Sequence, residues 1–248
     1  MFRLMTGSKI RLYVDHDLAP GQSIALTREQ SNYLFAVMRL EAGTQVSLIN
    51  SRDGEYLADI VVANKKNGIL VCQDQVKPLL LPPDLWLMFA PVKKDRTAFI
   101  VEKATEMGVR EIVPVMTDYT HFDRIRWDKM DLQAVEAAEQ CGGTYVPGIE
   151  MMEKLSDVLA NWPAERQILF CDESKVGEAT SLKDLPVDKD APWAVLIGPE
   201  GGFSDAERDL LRAHPNTHAI SLGPRILRAD TAAIAALTLW QTQLGDWG

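Results

Sequence analysis

Near its C-terminus the chain carries the stretch Ala194-Val-Leu-Ile-Gly-Pro-Glu-Gly-Gly-Phe-Ser-Asp-Ala-Glu207. Its apolar, branched beginning predicts a strand over residues 193–197 that is buried on both faces. The glycines then interrupt the pattern, and they allow a ligand to approach the backbone closely. Ser204 and Glu207 form a capping-box pattern, which predicts the start of a helix that ends at His214-Pro215. The stretch therefore predicts a buried strand, a ligand-binding loop and a helix.

A second stretch has the same order and reads Ile220-Ser-Leu-Gly-Pro-Arg-Ile-Leu-Arg-Ala-Asp-Thr-Ala-Ala233. It predicts a short strand, a Gly-Pro turn and a largely buried helix over about residues 232–244, capped by Asp230 or Thr231. Two such loops close in sequence can form the walls of one small-molecule site.

These loops lack the signatures of nucleotide phosphate sites. No Gly-Lys-Ser/Thr follows the glycines, as a P-loop requires, and the order Gly-x-Gly-x-x-Gly is absent. The pattern favours a ligand held by backbone N–H and C=O groups, and its alternative is an ordinary glycine-rich connection between a strand and a helix.

Two arginines, Arg225 and Arg228, follow the second turn. Arginines beside a buried loop are costly unless they meet an anion or a carboxylate. They therefore either contact an anionic ligand or pair with acids such as Glu200, Asp205 or Asp230.

Together the two stretches resemble the bacterial 16S ribosomal RNA uridine-N3 methyltransferases, which belong to the SPOUT superfamily. The segment Val101-Glu-Lys-Ala-Thr-Glu-Met-Gly-Val109 is similar to the family's Gln-Lys-Ala-Thr-Glu-Leu-Gly-Val. The segment Tyr33-Leu-Phe-Ala-Val-Met-Arg-Leu-Glu-Ala-Gly43 is similar to its His-His-Leu-x-x-Val-Leu-Arg-x-x-x-Gly. The resemblance spans roughly residue 10 to the end of the chain.

The chain changes its pattern near Leu79-Leu-Leu-Pro-Pro83. Residues 10–76 predict short strands separated by turns, with one helix that begins at a capping-box pattern from Thr27 to Gln30, which is typical of a small β-barrel. From Leu85 strands alternate with helices, including one that Asp95 caps, and this alternation indicates an α/β fold with a parallel sheet. We expect domains over residues 1–78 and 82–248. The resemblance implies that they are a PUA-like, RNA-binding barrel and a SPOUT methyltransferase domain with a C-terminal trefoil knot.

Charge is unevenly distributed. The formal net charge of −9 argues against nucleic acid as a partner of the chain as a whole. Residues 1–81, however, hold nine Lys/Arg and eight Asp/Glu, a net charge of +1, which leaves −10 for the remainder. The N-terminal third is therefore the more favourable surface for RNA.

Other classes of protein are disfavoured. Three scattered cysteines indicate a reducing cytoplasm rather than a disulfide framework. No secretory signal is visible, and no apolar run reaches the roughly 18 residues that a bilayer span needs. Pro215 prevents His214 and His218 from sharing a helix face, so no metal site is predicted.

The resemblance implies S-adenosylmethionine as cofactor and N3 of a uridine in 16S rRNA, in the small ribosomal subunit, as methyl acceptor. It also implies a homodimer. Residues 170–173 would add a third wall to the cofactor site. Carried over by position, the cofactor-binding residues would be Ile197, Gly198, Pro199, Gly201, Gly202, Leu222, Gly223, Ile226 and Leu227.

Uridine N3 is nucleophilic only once it is deprotonated, so the site must stabilise an anion or supply a base. Arg228 is the candidate for the first role. Glu200 or Asp230 is the candidate base, provided that burial raises its pKa. N3 lies on the Watson–Crick edge, so the base must be unpaired or flipped out of a helix. The candidates for RNA binding are Arg11, Arg39 and Lys94.

Two segments depart from the family pattern. Residues Asp118-Tyr119-Thr120 and Gly143 stand where family members tend to carry positive charge, and Asp230 replaces the commoner Glu. The alternatives are therefore a SPOUT methyltransferase that acts on another RNA, and a non-catalytic RNA-binding or ribosome-assembly factor.

Overall fold

The structure is a computed structural model that describes residues 7–121, 125–175, 182, 185 and 191–248. Its described residues form two compact units. The first runs to Leu81 and also includes Ala138–Val146, and the second consists of Pro82–Ala137 and Pro147–Gly248. None of the helices in the described part of the chain is long and apolar enough to cross a membrane.

The first unit is a five-stranded sheet with one helix, as the sequence predicts. The strand order is β1-β3-β4-β5-β2, and only the β1–β3 pair is parallel. Buried side chains such as Leu12, Ile24, Leu48 and Leu70 form its core. The strands are β1 (Arg11–Tyr13), β2 (Ser23–Ala25), β3 (Gln45–Ile49), β4 (Glu55–Val62) and β5 (Ile69–Lys77).

Helix α1 (Arg28–Asn32) begins at the predicted capping box. The Thr27 hydroxyl accepts a hydrogen bond from the Gln30 N–H, and the Gln30 side chain accepts one from the Thr27 N–H. The helix continues as a π-helical turn over Tyr33–Val37, and Arg39 then adopts a positive φ of 57°.

The second unit is a parallel sheet with helices between its strands, which confirms the predicted α/β class. The strand order is β12-β10-β11-β6-β7-β8, with β9 paired to β7. Every pair is parallel. The strands are β6 (Leu85–Phe89), β7 (Glu111–Met116), β8 (Gly148–Ile149), β9 (Glu153–Lys154), β10 (Gln167–Cys171), β11 (Trp193–Ile197) and β12 (Thr217–Ile220). The helices are α2 (Lys94–Glu106), α3 (Trp127–Cys141), α4 (Leu155–Ala160), α5 (Asp205–Ala213) and α6 (Ala229–Gln243).

Strand β11 lies between β10 and β6, and all five of its residues are buried. This explains its uninterrupted apolar sequence, since a central parallel strand has no solvent-facing side. Because β10, β11 and β12 are parallel neighbours, the loops that follow them emerge at one edge of the sheet. The trefoil knot that the resemblance implies stays a prediction.

Two predicted helix caps are wrong. Helix α2 begins after Lys93 and α6 after Arg228, each without a side-chain cap, and Asp95 and Asp230 lie in the first helical turns. An acidic residue is favourable both at the cap position and within the first turn, where it meets the positive end of the helix dipole. The residue type therefore could not distinguish the two positions.

Candidate active site

A cavity of about 490 Å³ lies in the second unit where the loops after β10, β11 and β12 meet. The start of α2 and the first turn of α6 complete its walls. Its lining residues are Lys93, Arg96, Cys171, Asp172, Glu173, Ile197, Gly198, Pro199, Glu200, Gly202, Leu222, Gly223, Arg225, Ile226, Leu227, Arg228, Ala229 and Ala232.

The cavity brings together all but one of the predicted cofactor residues. Gly201 is the exception, because it packs against Tyr119, whose Cβ would lie 3.2 Å from a Cβ added at Gly201. Three of the four residues predicted for the third wall, Cys171, Asp172 and Glu173, also line the cavity, whereas the buried Phe170 does not. Binding of the cofactor by these residues stays a prediction.

Glu173 supports the glycine-rich loop from one side. Its Oε1 accepts a hydrogen bond from the Phe203 N–H at 3.1 Å and also pairs with Arg208. Gly202 has a φ of 71°, and a Cβ there would overlap the same carboxylate oxygen. Glycine is thus required at position 202 for two reasons: the backbone is left-handed there, and the Glu173 carboxylate lies where a Cβ would be.

The loop is supported from the other side by the segment that departs from the family pattern. The predicted capping box of α5 is present, with Ser204 and Glu207 exchanging hydrogen bonds. The Ser204 hydroxyl also donates to Asp118 Oδ2 at 2.6 Å, and the Asp118 N–H donates to Glu207 Oε1 at 2.9 Å. The helix cap therefore also connects the loop after β11 to the loop after β7.

The acids near the cavity are paired with an arginine that the sequence analysis did not select for this role. Arg96 Nη1 lies 2.6 Å from Glu200 Oε1, and Arg96 Nε lies 3.8 Å from Asp230 Oδ2. The Glu200 side chain is 50% exposed, and Asp230 is only partly buried. Neither carboxylate is fully buried, and a role for Glu200 or Asp230 as a base stays a prediction.

Arg225 and Arg228 are exposed at the cavity, and neither forms an ion pair within the described part of the chain. The acids proposed as their partners bind other arginines, since Glu200 pairs with Arg96 and Asp205 with Arg208. Of the two interpretations, contact with an anionic ligand is the one that this arrangement favours.

Asp172 is a lining residue that the sequence analysis placed only within the third wall. Its side chain is fully buried and pairs with Arg212 Nη2 at 2.8 Å. Burial alone would raise the pKa of Asp172, but hydrogen bonds from Ser174 and Arg212 lower it below the usual value. Its position directly after the buried strand β10 was the available signal, because ligand sites form at the carboxyl ends of parallel strands.

RNA binding by Arg11 stays a prediction, and the structure places its side chain inside the first unit. Its side chain is only 8% exposed and pairs with Glu55, which is 1% exposed. The guanidinium also donates to the carbonyls of Ala138 and Gly143, each at 2.6 Å. Arg11 therefore satisfies carbonyls at the end of α3, which lack helical partners. Arg39 is exposed, and the side chain of Lys94 lies outside the described residues.

Comparison with known proteins identifies the family. A family model described as an RNA methyltransferase domain matches residues 80–241. The chain belongs to this RNA methyltransferase family. A second model, described as an RNA methyltransferase PUA domain, matches residues 26–71. The resemblance stated from the sequence is therefore confirmed, as is the PUA-like character of the first unit.

Curated relatives and solved structures agree with this assignment. The ribosomal RNA small subunit methyltransferase E of Rickettsia conorii is 31% identical over 228 residues, which cover 92% of this chain and 93% of the relative. A Legionella pneumophila protein solved with bound SAM has a TM-score of 0.85 at 29% identity, covering 96% of this chain and 98% of that one. The Neisseria gonorrhoeae ribosomal RNA small subunit methyltransferase E supports the fold, with a TM-score of 0.84 at 23% identity over 96% and 99% of the two chains.

Proposed function

We propose that this RNA methyltransferase transfers the methyl group of S-adenosylmethionine to N3 of a uridine in the 16S rRNA of the small ribosomal subunit. The observation that carries the proposal is the cavity formed by the two glycine-containing loops. The similarity to ribosomal RNA small subunit methyltransferase E supports the substrate class. The family resemblance further supports a homodimer that acts in the cytoplasm.

The residues of the cavity fit S-adenosylmethionine. Its volume of about 490 Å³ lies within the roughly 300–1,000 Å³ of small-molecule sites. A Cβ at Gly223 would meet no atom within 4 Å, so the backbone of the second loop is open to a ligand. Ile226 is 78% exposed, and Arg225 forms no ion pair in the described part of the chain, so the site offers the cofactor both apolar and cationic contacts. When bound, the cofactor supplies an electrophilic methyl group on a sulfonium.

The protein's contribution to the reaction is electrostatic and positional. Arg228 is exposed at the start of α6 and has no acidic partner in the described residues. It would stabilise the negative charge that develops on the uracil ring when N3 gives its proton to water or to a candidate base, Glu200 or Asp230. Arg96 holds Glu200 and approaches Asp230, which leaves Arg228 free of these acids. The loops after β10 and β11 would keep the cofactor aligned with the incoming base.

The direct test is methyl transfer in vitro. Small ribosomal subunits purified from a strain that lacks the orthologous enzyme are incubated with the protein and radiolabelled S-adenosylmethionine, and the modified nucleotide is mapped by mass spectrometry. We expect one labelled 3-methyluridine in 16S rRNA. Retained cofactor binding without labelling would indicate a non-catalytic factor, and labelling at another position or in another RNA would indicate a different SPOUT specificity.

A further inference from the structure

A second concave surface lies on the first unit, and it contains none of the residues used above for catalysis or cofactor binding. It has a volume of about 360 Å³ and is lined by Arg28, Glu29, Asn32, Lys65 and Lys66. The first three residues belong to α1, and the two lysines lie in the turn between β4 and β5. We call this surface the basic groove.

The basic groove concentrates the unpaired positive charge of the first unit. Arg11 and Lys77 pair with Glu55, and Arg52 pairs with Asp15 and Asp17. The other described Lys and Arg side chains up to Leu81 form no ion pair or hydrogen bond with the rest of the described chain. They are Lys9, Arg28, Arg39, Lys65 and Lys66. Three of these five cations line the groove, and Glu29 is the single acid among its lining residues.

The two walls of the groove are fixed to each other. The Gly68 N–H donates to the buried Ser31 hydroxyl of α1 at 3.0 Å, and the Leu26 N–H donates to the Gly68 carbonyl at 3.0 Å. Gly68 lies so close to the Phe35 ring that a Cβ would overlap it. The backbone of the turn that carries the lysines therefore has little freedom to move away from α1.

We propose that the basic groove binds the phosphodiester backbone of the RNA substrate. This inference rests on the proposed function and adds to it the surface that positions the RNA. Arginine, lysine and asparagine side chains are the usual donors to phosphate oxygens, and such contacts orient a nucleic acid without reading its sequence. The groove has no apolar lining residue, whereas a protein partner is normally bound around a buried apolar or aromatic centre. All five lining residues also fall within residues 26–71, which match the RNA methyltransferase PUA domain.

The test compares two double variants that remove the same charge. Lys65→Gln/Lys66→Gln changes the groove. Lys129→Gln/Lys154→Gln changes two exposed lysines elsewhere, whose side chains likewise form no ion pair or hydrogen bond in the described chain. Affinity for small subunits that lack the modification is measured between 50 and 300 mM salt.

The salt dependence gives the expected size of the effect. Removal of one phosphate interaction should reduce the slope of log K against log salt by about 0.7–0.9. For the two lysines of the groove this corresponds to roughly 25- to 60-fold weaker binding at about 0.1 M salt. We expect Arg28→Gln to reduce the slope by the amount of one further phosphate interaction.

Several readouts separate the outcomes. The groove variant should keep the wild-type thermal midpoint, the wild-type cofactor affinity and the wild-type kcat, with an increased KM for subunits. Equal weakening in both double variants would show a general charge effect and overturn the proposal. Weaker subunit binding with an unchanged salt slope would indicate a protein partner and would also overturn it. If the wild type binds subunits through the groove but forms no 3-methyluridine, the proposed function fails while the groove assignment stands. If the wild type forms 3-methyluridine and the groove variant methylates the subunits equally well, the groove assignment fails while the proposed function stands.

Discussion

Replacing Gly202 by alanine tests whether the glycine-rich loop has the conformation that the cofactor site needs. Gly202 has a φ of 71°, and the added Cβ would overlap Glu173 Oε1. That oxygen lies at the end of a flexible side chain, so it can move. Any movement, however, breaks its hydrogen bond from the Phe203 N–H and its ion pair with Arg208.

The cost has two parts. A left-handed backbone costs a residue with a Cβ about 1–2 kcal/mol. Loss of a hydrogen bond to a charged group costs about 1.5–3 kcal/mol more. If this second part destabilises the loop conformation that binds the cofactor, the affinity for S-adenosylmethionine should fall roughly 10- to 150-fold.

Gly43 offers a matched control. It has a φ of 85°, and a Cβ there would meet nothing within 4 Å. Gly43→Ala should therefore show the backbone cost alone, with unchanged cofactor affinity. Binding of S-adenosylmethionine is measured by isothermal titration calorimetry, and stability by urea denaturation.

A double variant isolates the role of the carboxylate. In a Glu173→Ala background the second part of the cost should disappear, because the added Cβ then meets no carboxylate. If Gly202→Ala and Gly43→Ala lower stability equally and Gly202→Ala binds the cofactor as the wild type does, the reasoning is refuted.

The remaining predictions concern five other side chains. Arg228→Ala should lower kcat by about 100- to 1,000-fold at saturating cofactor while leaving the cofactor Kd unchanged, and an unaffected kcat would remove Arg228 from the mechanism. Arg11→Ala should destabilise the protein by about 3–5 kcal/mol in urea, because it leaves the buried Glu55 without its closest cation. Burial alone would raise the pKa of Glu55, but a serine hydroxyl and the nearby cations outweigh it and hold the pKa below its usual value. Stability from Glu55 is therefore present above the pKa of the unfolded chain and is lost as the pH falls through the folded-state pKa, so Glu55→Gln should reduce the acid sensitivity of the urea midpoint. Ser204→Ala should cost about 1–2 kcal/mol, since it removes the cap of α5 and the hydrogen bond to Asp118, and an Asp118→Ala variant should show the smaller loss of that bond alone.

The parts of the site that the sequence predicted correctly depend on local patterns. Strand β11 is marked by an unbroken apolar run, and the helix after it by Ser204 and Glu207 at capping-box spacing. The glycines between them mark the loop. Since each of these signals acts within a few residues, no knowledge of the tertiary fold was needed.

The parts that were missed depend on residues far apart in the chain. Arg96 pairs with Glu200 across 104 positions, and Ser204 donates to Asp118 across 86. In strand β1 the buried Leu12 faces the core, so the alternation of a strand predicts that the neighbouring Arg11 faces solvent. The sequence does not show that backbone carbonyls near residue 140 cover the Arg11 side chain. Whether a charged side chain meets solvent or a carbonyl is decided by such distant interactions.

The first unit is built from two separate pieces of the chain, because Ala138–Val146 belongs to it. Within it the Ser51 hydroxyl accepts from the Val146 N–H, the Thr144 hydroxyl accepts from the Leu80 N–H, and Arg11 meets the carbonyl of Gly143. A recombinant fragment that stops at Leu81 would therefore lack these hydrogen-bond partners. The Arg11–Glu55 pair would lose the backbone carbonyls to which Arg11 donates. Exchange of this unit between related enzymes would accordingly need two junctions in the gene rather than one, with residues 138–146 transferred together with the N-terminal segment.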